Sequence, residues 1–259
     1  MPALGLGVWQ AGTGPRVVRA VSTALETGYR LIDTAKLYAN EAEVGEAVRA
    51  GTVPREEVFV TTKLWNDDHG RVRAKRAFDA SLRRLGLEYV DLYLIHWPGA
   101  GERVETWKAL VEISQEGHCR SVGVSNFTVD HLEELARASD VVPAVNQVEF
   151  HPFLYQRDLL DYCRRRGIQV QAYSPLARGQ YFEDPTIRAI TQGRRRSPAQ
   201  VMLRWALQHG LSAIPKSTNS DRIRENGALF DFELTGAEMA RLDALSSGER
   251  VAWDPTGVP

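Results

Sequence analysis

Asp33, Tyr38, Lys63 and His96 are the residues of this sequence best equipped to move a proton, and each ends or closely follows a short apolar run. LID (31–33) sets a carboxylate where a buried strand would keep an aliphatic residue, and Tyr38 follows five positions later. VFVTTK (58–63) ends in Lys63, and VDLYLIH (90–96) ends in His96. A free phenol, with a pKa of about 10, is a poor acid near neutrality. A neighbouring ammonium stabilises the phenolate and lowers that value. Lys63 can supply the ammonium, and Asp33 can keep Lys63 charged in a partly buried setting. His96 can donate a hydrogen bond to a substrate carbonyl or relay a proton. Together these groups suit the delivery of a proton to an oxygen that is acquiring negative charge. Singly, each has an ordinary role: Asp33 as a helix cap, Lys63 snorkelling to the surface, His96 as a satisfied core residue. The case for chemistry rests on their convergence.

Convergence requires a scaffold, and the chain alternates strand-like and helix-like segments throughout. Strands are expected at 4–8, 29–33, 58–63, 90–96, 120–125, 144–149, 168–174 and 211–216. Helices are expected at 15–27, 41–50, 71–85, 104–116, 129–138, 156–166 and 198–208, with Gly28, Gly86, Gly117, Gly167 and Gly210 following as C-terminal caps. Eight strand–helix units in 259 residues predict a (β/α)8 TIM barrel forming a single domain over residues 1–259. A doubly wound open sheet alternates in the same way and is the structural competitor. In a barrel the chemistry gathers at the C-terminal ends of the strands. The remaining strand ends carry Ser125-Asn126, Asn146-Gln147, Tyr173-Ser174 and Lys216-Ser217, which completes a ring of polar side chains around one mouth.

The ring suggests a ligand. GLGVWQ (5–10) and GTGP (12–15) both fail the GxGxxG pattern, which argues against a Rossmann dinucleotide site. IPKSTNSDRIREN (214–226) offers another anion site: Lys216 and Ser217 end a strand, Ser220 and Asp221 are plausible helix starts, and Arg222 lies in the first turn. Asn126 and Gln147 can hydrogen-bond an amide, and Tyr173 can stack on an aromatic ring; a nicotinamide needs both. No metal is expected. The chain has no CxxC, His96 has no ligand partner at close spacing, and His151, near Glu149, lies past its strand end at Pro152.

Composition narrows the remaining classes. The formal net charge is -1, which gives no field for nucleic acid or an anionic membrane. Of 32 basic residues only five are Lys, so Lys63 and Lys216 stand out in a chain that otherwise uses Arg. Two Cys, Cys119 and Cys163, make no disulfide framework and suit a reducing, cytoplasmic compartment. No apolar run reaches about 18 residues, and the N-terminus lacks a signal-peptide layout. No exposed apolar stripe is evident, so a monomer is expected.

The stretches MPALGLGVWQ, LIDTAKLYANEAEVG, VTTKLW, DLYLIHWP, GVSNF, NQVEFHP, AYSPLARG and IPKSTNSDRIREN carry a resemblance over nearly the whole chain. The sequence resembles the aldo-keto reductase family, most of all bacterial members similar to 2,5-diketo-gluconate reductases. The resemblance implies a (β/α)8 barrel that binds NADPH without a Rossmann fold and reduces small carbonyl compounds, dicarbonyls or keto-sugars. It implies Tyr38 as general acid, Lys63 and Asp33 as its tuning pair, and His96 orienting the carbonyl. Ser125, Asn126 and Gln147 would then hold the carboxamide, and Tyr173 would stack on the nicotinamide. Ser174 and Leu176 would reach the pyrophosphate. Lys216, Ser217, Thr218, Arg222, Glu225 and Asn226 would hold the 2′-phosphate end and the adenine.

Trp9, Trp65 and Trp97 lie at or just after strand ends and are expected to wall the substrate pocket. Three departures from the family pattern stand out. Relatives usually carry a β-hairpin before the PALGLG strand, where this chain begins, so the start is either truncated or the barrel floor is covered differently. The loop at 97–107 and the tail at 252–259 both look short, which predicts an open pocket. His118-Cys119 replaces a common Lys-Val on the face remote from the site. A non-catalytic NADPH-binding sensor on the same scaffold is the alternative, weakened by the presence of all four catalytic-type residues. A metal-dependent hydrolase using Asp33, His96, Glu149 and His151 is weakened by the lack of ligand spacing.

Overall fold

The computed structural model describes residues 1–99 and 101–258; Ala100, in the loop 97–107, and Pro259, in the tail, lie outside the described residues. Eight parallel strands follow one another around a single sheet: β1 (Leu6–Gly7), β2 (Leu31–Asp33), β3 (Phe59–Leu64), β4 (Leu92–Ile95), β5 (Val122–Ser125), β6 (Val145–Glu149), β7 (Gln169–Tyr173) and β8 (Ser212–Ala213). The sheet closes on itself. Leu4 bridges Ala213 and Gly7 bridges Lys216, with Gly5 N donating to Ala213 O at 2.9 Å and Ala213 N to Ala3 O at 2.8 Å. Closure excludes the open doubly wound sheet, which has two free edges.

Ten α-helices accompany the strands among the described residues. They are α1 (Pro15–Glu26), α2 (Glu41–Ala50), α3 (Arg71–Leu85), α4 (Arg103–Gln115), α5 (Val129–Ala138), α6 (Arg157–Arg165), α7 (Pro185–Arg194), α8 (Pro198–Gln208), α9 (Ser220–Gly227) and α10 (Gly236–Asp243). Their inward faces follow helical periodicity: α1 buries Val17, Ala20, Val21, Ala24 and Leu25 against the barrel. Gly45 in α2 lets that helix approach α3 closely, since a Cβ there would lie 1.8 Å from the Leu85 carbonyl oxygen. Strands buried on both faces read as near-continuous apolar runs, and all four residues of β4 are buried.

Inside the barrel the layers differ. Leu92, Leu94 and Val145, with Phe59 against them, form a small apolar cluster separate from the main core between helices and strands. Above it the interior turns polar. Asp33 is in register with Thr61, so Lys63 lies two residues nearer the mouth on the same face, and its long side chain can reach back to the carboxylate. At the floor end, Ser212 Oγ donates to Pro2 O at 3.0 Å, so the first residues of the chain lie against β8.

Candidate active site

Lys63 is the most deeply placed charge at the mouth, with no exposed side-chain surface. Its ammonium donates to Asp33 Oδ1 at 2.5 Å, to the Thr34 carbonyl oxygen at 3.0 Å and to Tyr38 Oη at 3.2 Å. Those three contacts give each N–H of an ammonium an acceptor. A short 3₁₀ turn, Lys36–Tyr38, follows β2 and swings the phenol over the ammonium; Ala39 ends it at φ 55. Asn40 braces the loop from below. It accepts from Thr34 Oγ1 at 2.8 Å and donates to Val8 O and Gly12 O at 3.1 and 3.2 Å. Nothing in the sequence pattern marked Asn40 for this task.

His96 completes the group, with Nε2 3.5 Å from Tyr38 Oη. Its Nδ1 is buried with no partner among the described residues, so the tautomer with the proton on Nε2 is the one whose N–H faces a partner. Burial, reinforced by the Lys63 ammonium, pushes the imidazole well below 6.5, so His96 is neutral at physiological pH. Burial also pushes the Tyr38 phenol well above 10, with the Asp33 carboxylate and Tyr173 adding to the effect. This corrects the expectation of a depressed phenol pKa: desolvation outweighs the ammonium in the resting site. The consequence suits an acid. The phenol keeps its proton in the resting site, with the Lys63 nitrogen 3.2 Å from its oxygen. Burial works against both ions of the Lys63–Asp33 pair, and each charge is offset by the other.

The amides beside this group are more committed than the sequence suggested. Gln147 Nε2 donates to Asp33 Oδ2 at 2.7 Å and to Gln171 Oε1 at 2.6 Å. Asn126, held in the left-handed region at φ 65, donates to His96 O at 3.0 Å and Ser125 Oγ at 3.1 Å, and its Oδ1 accepts from Tyr173 Oη at 2.8 Å. Ser125 Oγ donates to Gln147 O at 2.8 Å. Both amides therefore spend their N–H groups within the protein, leaving the Gln147 carbonyl oxygen and the second lone pair of the Asn126 oxygen for a ligand. That is an acceptor-only face, which fits the NH₂ of a carboxamide. Asn146 points elsewhere, donating to Phe127 O at 2.9 Å.

These residues open into a cavity of about 1340 Å³. Tyr38, Asp33, His96, Ser125, Asn126, Gln147, Tyr173, Ser174, Leu176, Lys216, Ser217, Thr218, Arg222, Glu225, Asn226, Trp9, Trp65 and Trp97 all line it; Lys63 lies behind Tyr38. The volume exceeds the roughly 300–1,000 Å³ usual for one small ligand and leaves room for a dinucleotide with its substrate. At the far end α9 starts at Ser220, as expected, and Asn219 caps it, its Oδ1 accepting from Arg222 N at 3.0 Å. Arg16 joins that end from α1, donating to Thr218 Oγ1 from Nε at 3.0 Å and from its terminal nitrogen at 2.7 Å. Burial and the Arg16 charge both lower the Lys216 pKa. Among the described residues no carboxylate forms an ion pair with Arg16, Lys216 or Arg222, so three cations line one end of the cavity without a counter-ion.

Two of the three expected tryptophans touch the proton-moving group, Trp9 tilted on Tyr38 and Trp65 edge-on to His96. Ring centroids of Trp9 and Tyr38 are 4.8 Å apart, and those of Trp65 and His96 are 5.2 Å apart. A fourth, Trp253 of the tail, packs 6.2 Å from Trp65 and 6.0 Å from Trp97. Arg16 and Trp253 were not marked by the sequence, because barrel closure and tail docking bring them in from distant segments. Among the described residues no group of three His, Cys, Asp or Glu side chains is placed to hold a metal ion.

The aldo/keto reductase family model matches residues 3–247. A glyoxal reductase of Bacillus subtilis is 48% identical over 255 residues, covering 98% of this chain and 92% of that protein. Morphine 6-dehydrogenase of Pseudomonas putida is 50% identical over 273 residues, covering 100% and 92%. The crystal structure of a Bombyx mori aldo-keto reductase in complex with NADP superposes with a TM-score of 0.92 at 40% identity, covering 100% of this chain and 94% of that one.

The His96 environment has a direct test. In NMR titration its ring should remain neutral as pH falls through about 6.5. The unfolded chain takes up this proton near 6.5 while the folded chain does not, so folding stability should decline as pH drops below that value. A His96 midpoint at or above 6.5 would contradict the burial described.

Proposed function

Since the chain belongs to the aldo/keto reductase family, we propose that it reduces small aldehydes, ketones and dicarbonyls to alcohols with NADPH, with Tyr38 as general acid. One observation carries the reading: a protonated phenol opens into the cavity with a fully buried ammonium 3.2 Å behind its oxygen. Bound NADPH would supply a hydride to the carbonyl carbon. The protein's own part is to place and charge-balance the oxygen. Tyr38 Oη and His96 Nε2, 3.5 Å apart, form a pair of donors that one carbonyl oxygen can accept from together. As Tyr38 gives up its proton, the Lys63 ammonium meets the new charge at short range, and Asp33 keeps Lys63 in place.

The rest of the cavity supports the cofactor. Asn126 and Gln147 present acceptors to the carboxamide, and Tyr173 is fixed by Asn126 where its ring can stack. Lys216, Arg222 and Arg16, with Ser217 and Thr218, suit a phosphate dianion. Glu225 and Asn226 line the same end, where the adenine would lie. The tryptophan wall favours small, varied carbonyls. The named activities of the glyoxal reductase and the morphine dehydrogenase differ widely in substrate size, so the relatives support the reaction class over any one substrate. Both cysteines are free and buried, in keeping with a reducing cytoplasm.

Tyr38→Phe should lower methylglyoxal reduction by about 10² to 10⁴ while NADPH affinity stays unchanged, since one hydroxyl is lost with little shape. Steady-state oxidation of NADPH and a fluorescence titration measure the two; retention of half the wild-type turnover would remove Tyr38 from its role.

Cofactor choice follows from the three cations. NADH leaves them without an anionic partner, and charge-assisted bonds are worth about 1.5–3 kcal/mol each, so NADPH should bind at least about tenfold more tightly. Arg222→Ala and Arg16→Ala should each weaken NADPH more than NADH, and the preference should shrink as salt rises. Equal losses for both cofactors would mean that these residues support the fold of the turn and do not read the phosphate.

A further inference from the structure

Glu149 and His151 are both fully buried and take no part in the proton chemistry. Glu149 ends β6, and its backbone carbonyl accepts from Gln156 Nε2 at 2.7 Å. Its carboxylate faces the C-terminal tail. Oε1 accepts the backbone N–H of Val251 at 2.6 Å and His151 Nε2 at 3.0 Å, and Oε2 accepts the N–H of Ala252 at 3.2 Å. Nδ1 of His151 has no partner among the described residues, which puts the proton on Nε2, facing Glu149. Two of the three donors to a buried carboxylate thus come from a segment in neither helix nor strand. The next residue is Trp253, 63% exposed, standing against Trp65 and Trp97 at the cavity mouth.

We propose that Glu149 is a latch: it fixes residues 251 and 252 to the barrel and so sets Trp253 as the outer wall of the carbonyl pocket, making Glu149 a positioning residue for substrate recognition. The physical reason is mutual dependence. The tail amides have no other backbone partner in this segment, and the carboxylate, out of contact with water, needs donors. If the tail lifts, Glu149 loses two of three charge-assisted bonds at once. A neutral amide at this position cannot replace it, because one oxygen becomes an NH₂ group that opposes a backbone N–H. His151 holds the carboxylate from the other side, which keeps both oxygens aimed at the tail. Trp253 rests on Trp65 and Trp97 one residue beyond this anchor, while the Phe153 carbonyl, accepting from Ser247 N and Gly248 N, and His131 Nε2, 3.0 Å from Val258 O, hold the tail farther away on either side.

The kinetic half of the test rests on the carbonyl-reduction reading; the exchange half does not. In the wild-type protein the Val251 and Ala252 amides should be protected from hydrogen–deuterium exchange, and Glu149→Gln should expose both. The same variant should raise KM for phenylglyoxal about tenfold, the scale of one lost apolar pocket contact, with kcat within about twofold. KM for methylglyoxal, too small to reach Trp253, and the NADPH Kd should hold. Trp253→Ala should reproduce the rise and add nothing in the double variant. Free exchange at both amides in the wild type would overturn the latch, as would an exposed tail with unchanged phenylglyoxal KM. Should Glu149→Gln fail to fold, wild-type exchange and Trp253→Ala kinetics decide. A wild-type protein that reduces no carbonyl would sink the reaction assignment, leaving the latch to stand or fall by exchange alone.

Discussion

A buried ammonium must find an acceptor for every proton it carries, and the upper half of this barrel is arranged around that constraint at Lys63. An uncompensated charge in such a place costs several kcal/mol or neutralises itself. Asp33, the Thr34 carbonyl and Tyr38 meet the three protons. The requirement then propagates. The second oxygen of Asp33 needs a donor and finds Gln147; the second N–H of Gln147 needs an acceptor and finds Gln171. Gln171 passes the demand to Ser212 at 3.2 Å, and Ser212 ends it on Pro2. A column of polar side chains therefore runs down an interior that packing alone would fill with aliphatics. An ion pair this deep is weak evidence for stability. Its place beside Tyr38, at the wall of the cavity, is the basis of its proposed role in chemistry.

The same mouth stores backbone strain. Gln10, Ala39, Asn126, Ser174, Ala177 and Arg178 all adopt positive φ, and all lie in loops at the C-terminal ends of strands. Each such residue costs on the order of 1–3 kcal/mol unless its surroundings hold it. At Asn126 the surroundings are explicit: three hydrogen bonds fix the side chain, and the amide in turn fixes Tyr173. The apolar cluster at the barrel floor and the helix–strand core below carry no comparable strain, so rigidity beneath supports irregular geometry above.

Much of this was legible in the sequence because strand ends are local events. Asp33, Lys63, His96 and Asn126 each close a short apolar run, and a barrel brings all such ends to one face. The bounds of α2, α3, α5 and α8 match their periodicity, helped by the Ser197–Gln200 and Thr128–His131 caps. α7 is absent from the expected helices, since PTIRAITQGR mixes β-branched residues with Gly193 and buries only Ile187 and Ile190. α10 was missed for a related reason: Leu242 is its one buried residue. The direction of the Tyr38 pKa was not legible, because the sign depends on how completely water is excluded. Arg16 and Trp253 were invisible for a topological reason, as each reaches the site across a contact between segments far apart in the chain.

Single-turnover reduction of methylglyoxal by Lys63→Ala, followed through NADPH fluorescence, isolates what the ammonium does for Tyr38. If the ammonium exists to stabilise charge on Tyr38, the rate should fall by about 10² to 10⁴ with NADPH affinity intact. Ethylammonium, small enough for the space left behind, should restore part of the rate, and ethanol of similar size should not. A rate within about threefold of wild type, where general-acid loss would cost a hundredfold or more, would contradict the account, as would equal rescue by the neutral alcohol.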